Sequence, residues 1–280
     1  MIFAITTSLV RFTAVFALSL SCATAGAADL HPIVELKSGY LFGATAEGKW
    51  IKAEKAAKAL PSKTTYQVYG LTQSLGKATG GKPKPSKEEV CSDVLTVSLS
   101  PKPEKGVIAL GAPWNALPRT PRVADPTQKI YVDAARDFLR TKGIDQPKMK
   151  IDNILRVDLD GDGEDEVLIT ATKYFSSDRV PMRSPAGSYS MVLLRRVIGG
   201  KVETHLVKGE FHPKAYPGKG TDDASFDAPN VYELSAILDL DGDGKMEIVV
   251  GSEYYEGAAT TIYRCDPKKV EALLSVGCGA

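Results

Sequence analysis

The sequence predicts a mainly β protein in which four-stranded antiparallel units stack like propeller blades, with one or two short helices in the N-terminal half. Short runs of β-branched residues, bounded by turns, are typical of strands. One hairpin pattern occurs twice, since Asp158 and Glu166 recur in the same register as Asp239 and Glu247. Each unit is too small to bury a core alone, so we expect the units to pack face to face.

The N-terminal segment, residues 1–27, is typical of a cleavable export signal. Arg11 precedes an apolar run at residues 12–20, and small residues at 25–27 fit signal peptidase cleavage before Ala28. We therefore expect a secreted or periplasmic protein. The remaining alternative is that this segment stays uncleaved and anchors the chain in a membrane, although the apolar stretch is short for a span.

The N-terminal region, residues 28–147, is predicted to be rich in strands. Residues 39–43 and 47–51 resemble a hairpin, and three further strands are expected at residues 66–71, 94–99 and 106–110. The lysine-rich segment at residues 77–105 carries many Pro and Gly residues, which favours a solvated loop over a contact with an anionic surface.

Two stretches of this region have helical spacing. The first covers residues 53–60. The second covers residues 128–141, begins just after Asp125 and Pro126, and repeats apolar side chains at helical intervals. We expect this second stretch to be a linker helix that packs on a sheet, rather than a surface that binds a partner.

Residues 148–280 are predicted to form two repeats, at about residues 151–212 and 231–280. In each repeat a hairpin is followed by a second pair of strands, which turns at Gly199 and Gly200 in the first repeat and at residues 266–268 in the second. The repeats differ mainly in the length of their connections, which are rich in Pro, Gly and Ser in the first repeat.

The turn of each hairpin is an acidic loop that we expect to bind one Ca²⁺ ion. Loop positions one, three, five and nine carry carboxylates, position seven supplies a backbone carbonyl, and glycine at position six permits a sharp turn. An EF-hand would need a glutamate at position twelve, where this chain has Ile169 and Val250. The expected ligands are Asp158, Asp160, Asp162, Glu164 and Glu166 in the first loop, and Asp239, Asp241, Asp243, Lys245 and Glu247 in the second.

These loops and their flanking strands resemble the calcium hairpins of the FG-GAP and VCBS repeats, which build β-propeller blades in integrin-like proteins. The resemblance covers residues 151–174 and 232–255 and does not extend to the N-terminal region. That family usually has Asp at loop position nine, where this chain has Glu166 and Glu247. The resemblance implies two structural Ca²⁺ ions and a propeller-like fold.

Three cysteines remain after the predicted cleavage, so one disulfide and one free thiol are expected. The turn at residues 266–269 places Cys265 opposite Val270 and several residues short of Cys278. We therefore prefer a disulfide between Cys91 and Cys278, which would tie the N-terminal region to the last strand.

The sequence favours a binding or structural role over catalysis. A net charge of +1 gives no overall field for nucleic acid. The three histidines lack a recognisable catalytic setting, and no nucleophile elbow, phosphate-binding glycine loop or His-Glu metal motif occurs. Tyr254 and Tyr255 follow the second hairpin, and we expect them to lie beside its calcium site. They are either a ligand surface, for an unknown protein or glycan, or packing residues between blades. The alternative function is an extracellular hydrolase that uses the repeats as a scaffold.

Overall fold

The structure is a computed structural model, and it describes residues 29–175, 178–215, 227–267 and 269–279 of the 280-residue chain. The protein is mainly β, with 49% strand, 10% helical residues and two helices, and its strands form several antiparallel sheets. The predicted export signal, residues 1–27, lies outside the described residues. No helix in the described ranges is long and apolar enough to cross a membrane.

The elements follow one another along the chain with short connections in most places. In order they are β1 (His31–Glu35), β2 (Leu41–Ala46), β3 (Lys49–Lys52), α1 (Ala53–Ala59), β4 (Lys63–Tyr69), β5 (Ser74–Gly81), β6 (Lys84–Pro85), a 3-10 turn (Glu89–Cys91), β7 (Leu95–Thr96), β8 (Leu99–Ser100), β9 (Ile108–Leu110), β10 (Arg122–Val123), α2 (Lys129–Thr141), β11 (Ile151–Val157), β12 (Glu166–Lys173), β13 (Ser188–Ile198), β14 (Lys201–His212), β15 (Val231–Leu238), β16 (Glu247–Tyr254), β17 (Gly257–Asp266) and β18 (Lys269–Gly279).

The N-terminal sheet has seven strands in the order β3-β2-β1-β9-β4-β5-β8. The predicted hairpin is present as β2 and β3, which pair antiparallel with Gly43 opposite Lys52. Gly43 has a φ of +142°, and a Cβ there would lie 2.0 Å from the Ile51 carbonyl oxygen, so this position requires glycine. Strands β1 and β5, which the sequence did not predict, lie beside predicted ones.

The lysine-rich segment at residues 77–105 is more structured than a solvated loop. It begins within β5, contains β6, β7 and β8, and buries Cys91 and Val97. Its lysines did predict exposed side chains correctly at several positions, including Lys82, Lys84 and Lys87. The prediction of a loop was therefore wrong where these strands form. Strand β5 forms because pairing with β4 stabilises it despite its three glycines.

The two predicted repeats form two four-stranded antiparallel meanders. The first unit consists of β11 to β14, with the short strand β10 added beside β11, and its turn at Gly199 and Gly200 lies where the sequence placed it. The second unit consists of β15 to β18. We use the names first unit and second unit for these two sheets below.

The three large sheets are stacked face to face. One apolar cluster joins the first unit to the second, through residues such as Leu168, Val192, Ile237 and Ile248. Another joins the opposite face of the second unit to the N-terminal sheet. Because successive side chains of a strand point to opposite faces, β12 and β16 contribute to clusters on both of their sides. The described residues do not form a closed barrel or propeller ring.

The helices cover the outer faces of this stack. Helix α2 buries Tyr131, Ala135 and Leu139, which follow one another at intervals of one helical turn and share one side of the helix, against the first unit. The expectation of a linker helix packed on a sheet is therefore confirmed. Helix α1 packs on the N-terminal sheet, and it ends at Ala59 shortly before Pro61, which disfavours further helix.

A disulfide joins Cys91 to Cys278, the pairing preferred from the sequence, and Cys265 is a free cysteine. Cys265 lies directly opposite Val270 in the β17–β18 ladder, as the position of the turn predicts. The disulfide connects the segment before β7 to the last strand of the second unit.

Packing between the two units should make Val192 far more sensitive to truncation than an exposed valine. Val192 is fully buried between the sheets, whereas Val202 at the start of β14 is 58% exposed. We expect Val192→Ala to lower the free energy of unfolding by about 2–3 kcal/mol, from two lost methyl groups and the cavity left behind. Val202→Ala is the matched control and should cost less than about 0.5 kcal/mol. Urea unfolding measures both, and equal costs would contradict the face-to-face packing.

Candidate metal centre

Each acidic loop connects two antiparallel strands, and both loops lie at the same end of the sheet stack. The first loop lies between β11 and β12, and the second between β15 and β16. The strand residues that border each loop are cross-strand partners: Val157 pairs with Glu166, and Leu238 pairs with Glu247. The prediction of a strand–loop–strand hairpin is therefore confirmed for both loops.

Each loop gathers three carboxylates, from positions one, three and nine. In each group, one carboxylate oxygen from each residue lies within 4.8 Å of one from each of the other two. The two groups are Asp158, Asp160 and Glu166 in the first loop, and Asp239, Asp241 and Glu247 in the second. The same loop positions thus converge twice, although the two loops have different residues at positions seven and eight.

The aspartate at position one is held inside its loop by backbone N–H groups. Asp158 accepts hydrogen bonds from the N–H groups at positions four and six, at 2.7 and 3.0 Å. Asp239 accepts the equivalent bonds at 2.7 and 3.1 Å. The donors are glycines with φ between +79° and +91°, a backbone conformation that residues with a side chain rarely adopt. They are Gly161, Gly163, Gly242 and Gly244.

The glutamate at position nine is buried and reaches back to the start of its own loop. Glu166 Oε2 accepts a hydrogen bond from the Leu159 N–H at 2.8 Å, and Glu247 Oε2 accepts one from the Leu240 N–H at 2.9 Å. Both residues begin a central strand and are at most 4% exposed. The side chain of the glutamate at position nine therefore spans the base of the loop.

Positions five and seven lie at the exposed rim of each loop. Asp162 Oδ1 accepts a hydrogen bond from the Glu164 N–H at 2.8 Å, and Asp243 Oδ1 accepts one from the Lys245 N–H at the same distance. These four residues are outside the two groups of three carboxylates. Of the ten expected ligands, the structure therefore brings six together and places four at the rim.

An arginine from the third strand of each unit contacts the aspartate at position three. Arg196 Nη2 lies 2.8 Å from Asp160 Oδ2 and 3.5 Å from Glu166 Oε1. Arg264 Nη2 lies 3.0 Å from Asp241 Oδ2. Arg196 and Arg264 occupy equivalent positions in their units. In each unit, the second residue of β12 or β16 has a cross-strand partner on the third strand, and the arginine is the next residue after that partner.

Sequence reasoning missed both arginines. Arg196 and Arg264 are closer together in the sequence than the two loops are, because the connection between the second and third strands is longer in the first unit. If the two units are aligned in sequence by the spacing between their loops, the two arginines therefore do not fall at matching positions. A signal was available nonetheless, because a charged residue within each apolar third strand could have been matched by strand order.

The buried carboxylates resist ionisation when only the protein surrounds them. Burial, with the nearby charge of Asp241 as the next cause, raises the pKa of Glu247 to about 9. Burial is also the main cause that raises the pKa values of Glu166, Asp239 and Asp241 above their ordinary range. A cation among these groups would favour their charged forms.

The donor set matches a hard divalent cation such as Ca²⁺. Carboxylate oxygens are its preferred ligands, and the loops offer them from several positions along one tight turn. In the first loop, Oδ1 of Asp160 is buried and has no hydrogen-bond partner among the described residues, while Oδ2 is bound to Arg196. An acceptor oxygen in this condition is available for coordination, so the residues present fit the ion.

The connection between β9 and β10 lies across both loops. The indole N–H of Trp114 donates to the Asp239 carbonyl at 2.9 Å, and the Ala116 carbonyl accepts the Asp239 N–H at 2.8 Å. The ring of Trp114 covers Gly242, and the side chain of Arg119 covers the equivalent Gly161. These contacts are long-range in sequence, and the sequence analysis did not find them.

Tyr254 and Tyr255 lie at the far end of β16 from the second loop. Glu247 begins this strand and Tyr254 ends it, so seven steps of about 3.3 Å separate them. The expectation that these tyrosines lie beside a calcium site is therefore wrong. Tyr254 packs beside Gly257 and Gly279, whereas Tyr255 is 52% exposed. These contacts of Tyr254 lie within its own sheet and so do not test packing between blades, and the ligand-surface interpretation depends on Tyr255.

Comparisons with protein-family models, with curated protein sequences and with solved structures find no match to this chain. The class of site is therefore inferred from the loops themselves.

The contact between Trp114 and the second loop gives a test that needs no metal. Gly242 and Gly244 both have positive φ, but a Cβ at Gly242 would lie 3.1 Å from the Trp114 ring, while one at Gly244 would meet nothing within 4 Å. Either substitution to Ala should cost about 1–2 kcal/mol of backbone strain. We expect Gly242→Ala to cost about 1–3 kcal/mol more than Gly244→Ala, because the ring must move. Denaturant unfolding in chelator measures the difference, and equal costs would contradict this packing.

Proposed function

We propose that this chain is an exported calcium-binding repeat protein of the FG-GAP and VCBS type, in which two Ca²⁺ ions stabilise β-hairpins. One observation carries the proposal: carboxylates from the same three loop positions, with equivalent backbone hydrogen bonds, converge in two loops that are far apart in sequence. A solvated acidic turn would have no reason to bury a glutamate at the start of a central strand in both copies.

The role proposed for each ion is structural. Its charge offsets the repulsion among three closely spaced carboxylates, and the free energy of binding then adds to the free energy of folding. The side chains proposed as ligands are those of Asp158, Asp160, Asp162 and Glu166, with Asp239, Asp241, Asp243 and Glu247 in the second loop. The backbone carbonyls of Glu164 and Lys245 complete the two sets, as the spacing of the loop positions implies.

We further propose that the two units act as propeller-like blades in an open stack. Supporting this, the two units bury one continuous apolar cluster face to face, and the N-terminal sheet adds a third layer. The proposed location is secreted or periplasmic, where abundant calcium can fill sites with dissociation constants of about 10⁻⁴ to 10⁻³ M. The stack would then present a surface that includes Tyr255 to a protein or glycan ligand.

Calcium should raise the thermal stability of the protein, and each loop should account for part of the increase. With a dissociation constant of about 10⁻⁴ M, 10 mM Ca²⁺ adds about 2.7 kcal/mol per site. At about 2–4 °C per kcal/mol, this corresponds to about 5–11 °C in Tm. Asp160→Asn and Asp241→Asn should each remove a large part of that shift, measured by calorimetry or circular dichroism in Ca²⁺ and in chelator.

The chelator measurement separates loss of an ion from ordinary damage. Without Ca²⁺, each substitution removes repulsion among the carboxylates and also an ion pair with Arg196 or Arg264, so the Tm in chelator is the baseline from which each calcium shift is measured. Asp137→Asn on the exposed side of α2 is the matched control and should keep the full calcium shift. If the wild-type protein shows no shift in Tm up to about 10 mM Ca²⁺, a concentration well above the expected dissociation constant, the proposed function is wrong.

A further inference from the structure

The two acidic loops contact each other directly. The N–H of Met246, at position eight of the second loop, donates to the carbonyl of Leu159, at position two of the first loop, with a length of 2.8 Å. Leu159 is buried, and its own N–H donates to Glu166 of the carboxylate group. A change in the position of Glu166 is therefore transmitted through one residue to the backbone of the other loop.

Arg119 makes a second connection between the loops. Its guanidinium donates to the carbonyls of Asp158 and Leu159 in the first loop, the latter at 3.0 Å. The same group donates to the Gly244 carbonyl in the second loop at 2.7 Å. The planar fork of an arginine holds several acceptors in a fixed geometry, so these three carbonyls cannot shift independently while the bonds remain.

Arg119 is itself held by its surroundings. Gly161 leaves space for the guanidinium, since a Cβ there would lie 3.4 Å from Nη1. A few residues before Arg119, the Leu117 N–H donates to the Asn115 side chain, and Ala116 is hydrogen-bonded to Asp239. The segment that carries the arginine is therefore fixed to the second loop by its backbone.

These contacts flank the residue whose carbonyl is the expected ligand at position seven of the second loop. Gly244 precedes Lys245 and is bound by Arg119; Met246 follows it and is bound by Leu159. An ion that orders the first loop fixes the Leu159 carbonyl and hence both neighbours of Lys245. The ordering cost of the second site would then be lower when the first is filled.

Charge does not oppose this effect strongly. Residues 158–166 contain six acidic side chains, so the first loop stays negative after it takes up one divalent ion, even with Arg196 and Arg119 beside it. An ion in the first loop still repels an ion in the second, but the exposed rims of the loops let water and salt screen that repulsion. For positive coupling, the ordering of the shared backbone groups must exceed this repulsion.

We propose that the two cation sites are positively coupled through Arg119 and the Leu159 carbonyl, so that an ion in one loop strengthens binding in the other. This inference rests on the proposed function, because it requires both loops to bind Ca²⁺. Coupling between sites is commonly about 5- to 150-fold in affinity. We expect an effect of at least about fivefold, equal in both directions, since linkage is reciprocal.

Calorimetric titration with CaCl₂ tests the coupling in four proteins: wild type, Asp160→Asn, Arg119→Met and the double variant. Asp160→Asn disables the first loop and reports the second loop alone. We expect its second loop to bind Ca²⁺ at least about fivefold more weakly than the same loop binds in wild type once the first loop is filled. With Arg119→Met already present, the same substitution should weaken the remaining site by less than about twofold.

The controls keep this test interpretable. Asp241→Asn must weaken Ca²⁺ binding at the first loop by the same factor. This comparison does not involve Arg119→Met, so it holds even if that variant folds poorly. Arg122→Met removes a nearby arginine that pairs with the side chain of Asp165, and it should leave the coupling intact. Circular dichroism in chelator verifies that each variant retains its β structure.

The outcomes separate the two proposals. If wild type binds two ions and each single variant keeps full affinity for its remaining ion, the loops are independent and the coupling is overturned while the calcium function stands. If Arg119→Met leaves the fivefold effect unchanged, Arg119 is not the connection. If wild type takes up no Ca²⁺ at all, the proposed function itself fails.

Discussion

Burial of negative charge at one end of the sheet stack is the constraint on which the architecture of both hairpins depends. Glu166 and Glu247 are the first residues of β12 and β16, the strands that contribute to apolar clusters on both of their faces. An uncompensated buried charge costs several kcal/mol. The loop N–H donors and the arginines of the third strands are two sources of compensation in the structure, and the cation proposed above would be a third.

These sources are unequally divided between the two loops. In the first loop a buried arginine, Arg196, contacts both Asp160 and Glu166. In the second loop Arg264 contacts Asp241 and is more exposed to solvent, and Glu247 has the strongly raised pKa. The glutamate of the second loop is therefore less compensated by arginine than that of the first, and contacts with Trp114, Ala116 and Arg119 hold the backbone of the second loop in place.

The features that sequence predicted well are local, and those that it missed are long-range. The loops were predictable because ligand spacing and glycine positions lie within one short turn, and the hairpins because β-branched runs flank them. The ion pair of Arg196 with Asp160 spans 36 residues, and the bond from Arg119 to Gly244 spans 125, so no local pattern marks either. Strand β5 was missed because Gly and Lys have low strand propensity, and only its partners stabilise it.

The disulfide has a consequence for how damage to this protein would be detected. Cys91 and Cys278 are 187 residues apart, so the bond closes a covalent loop that contains the first unit and nearly all of the second. A protease that cuts once anywhere within that loop leaves both fragments in one molecule. The cut chain would keep its mass, apart from one added water, until the disulfide is reduced. Proteolysis in an oxidising compartment could therefore nick this protein without releasing a domain.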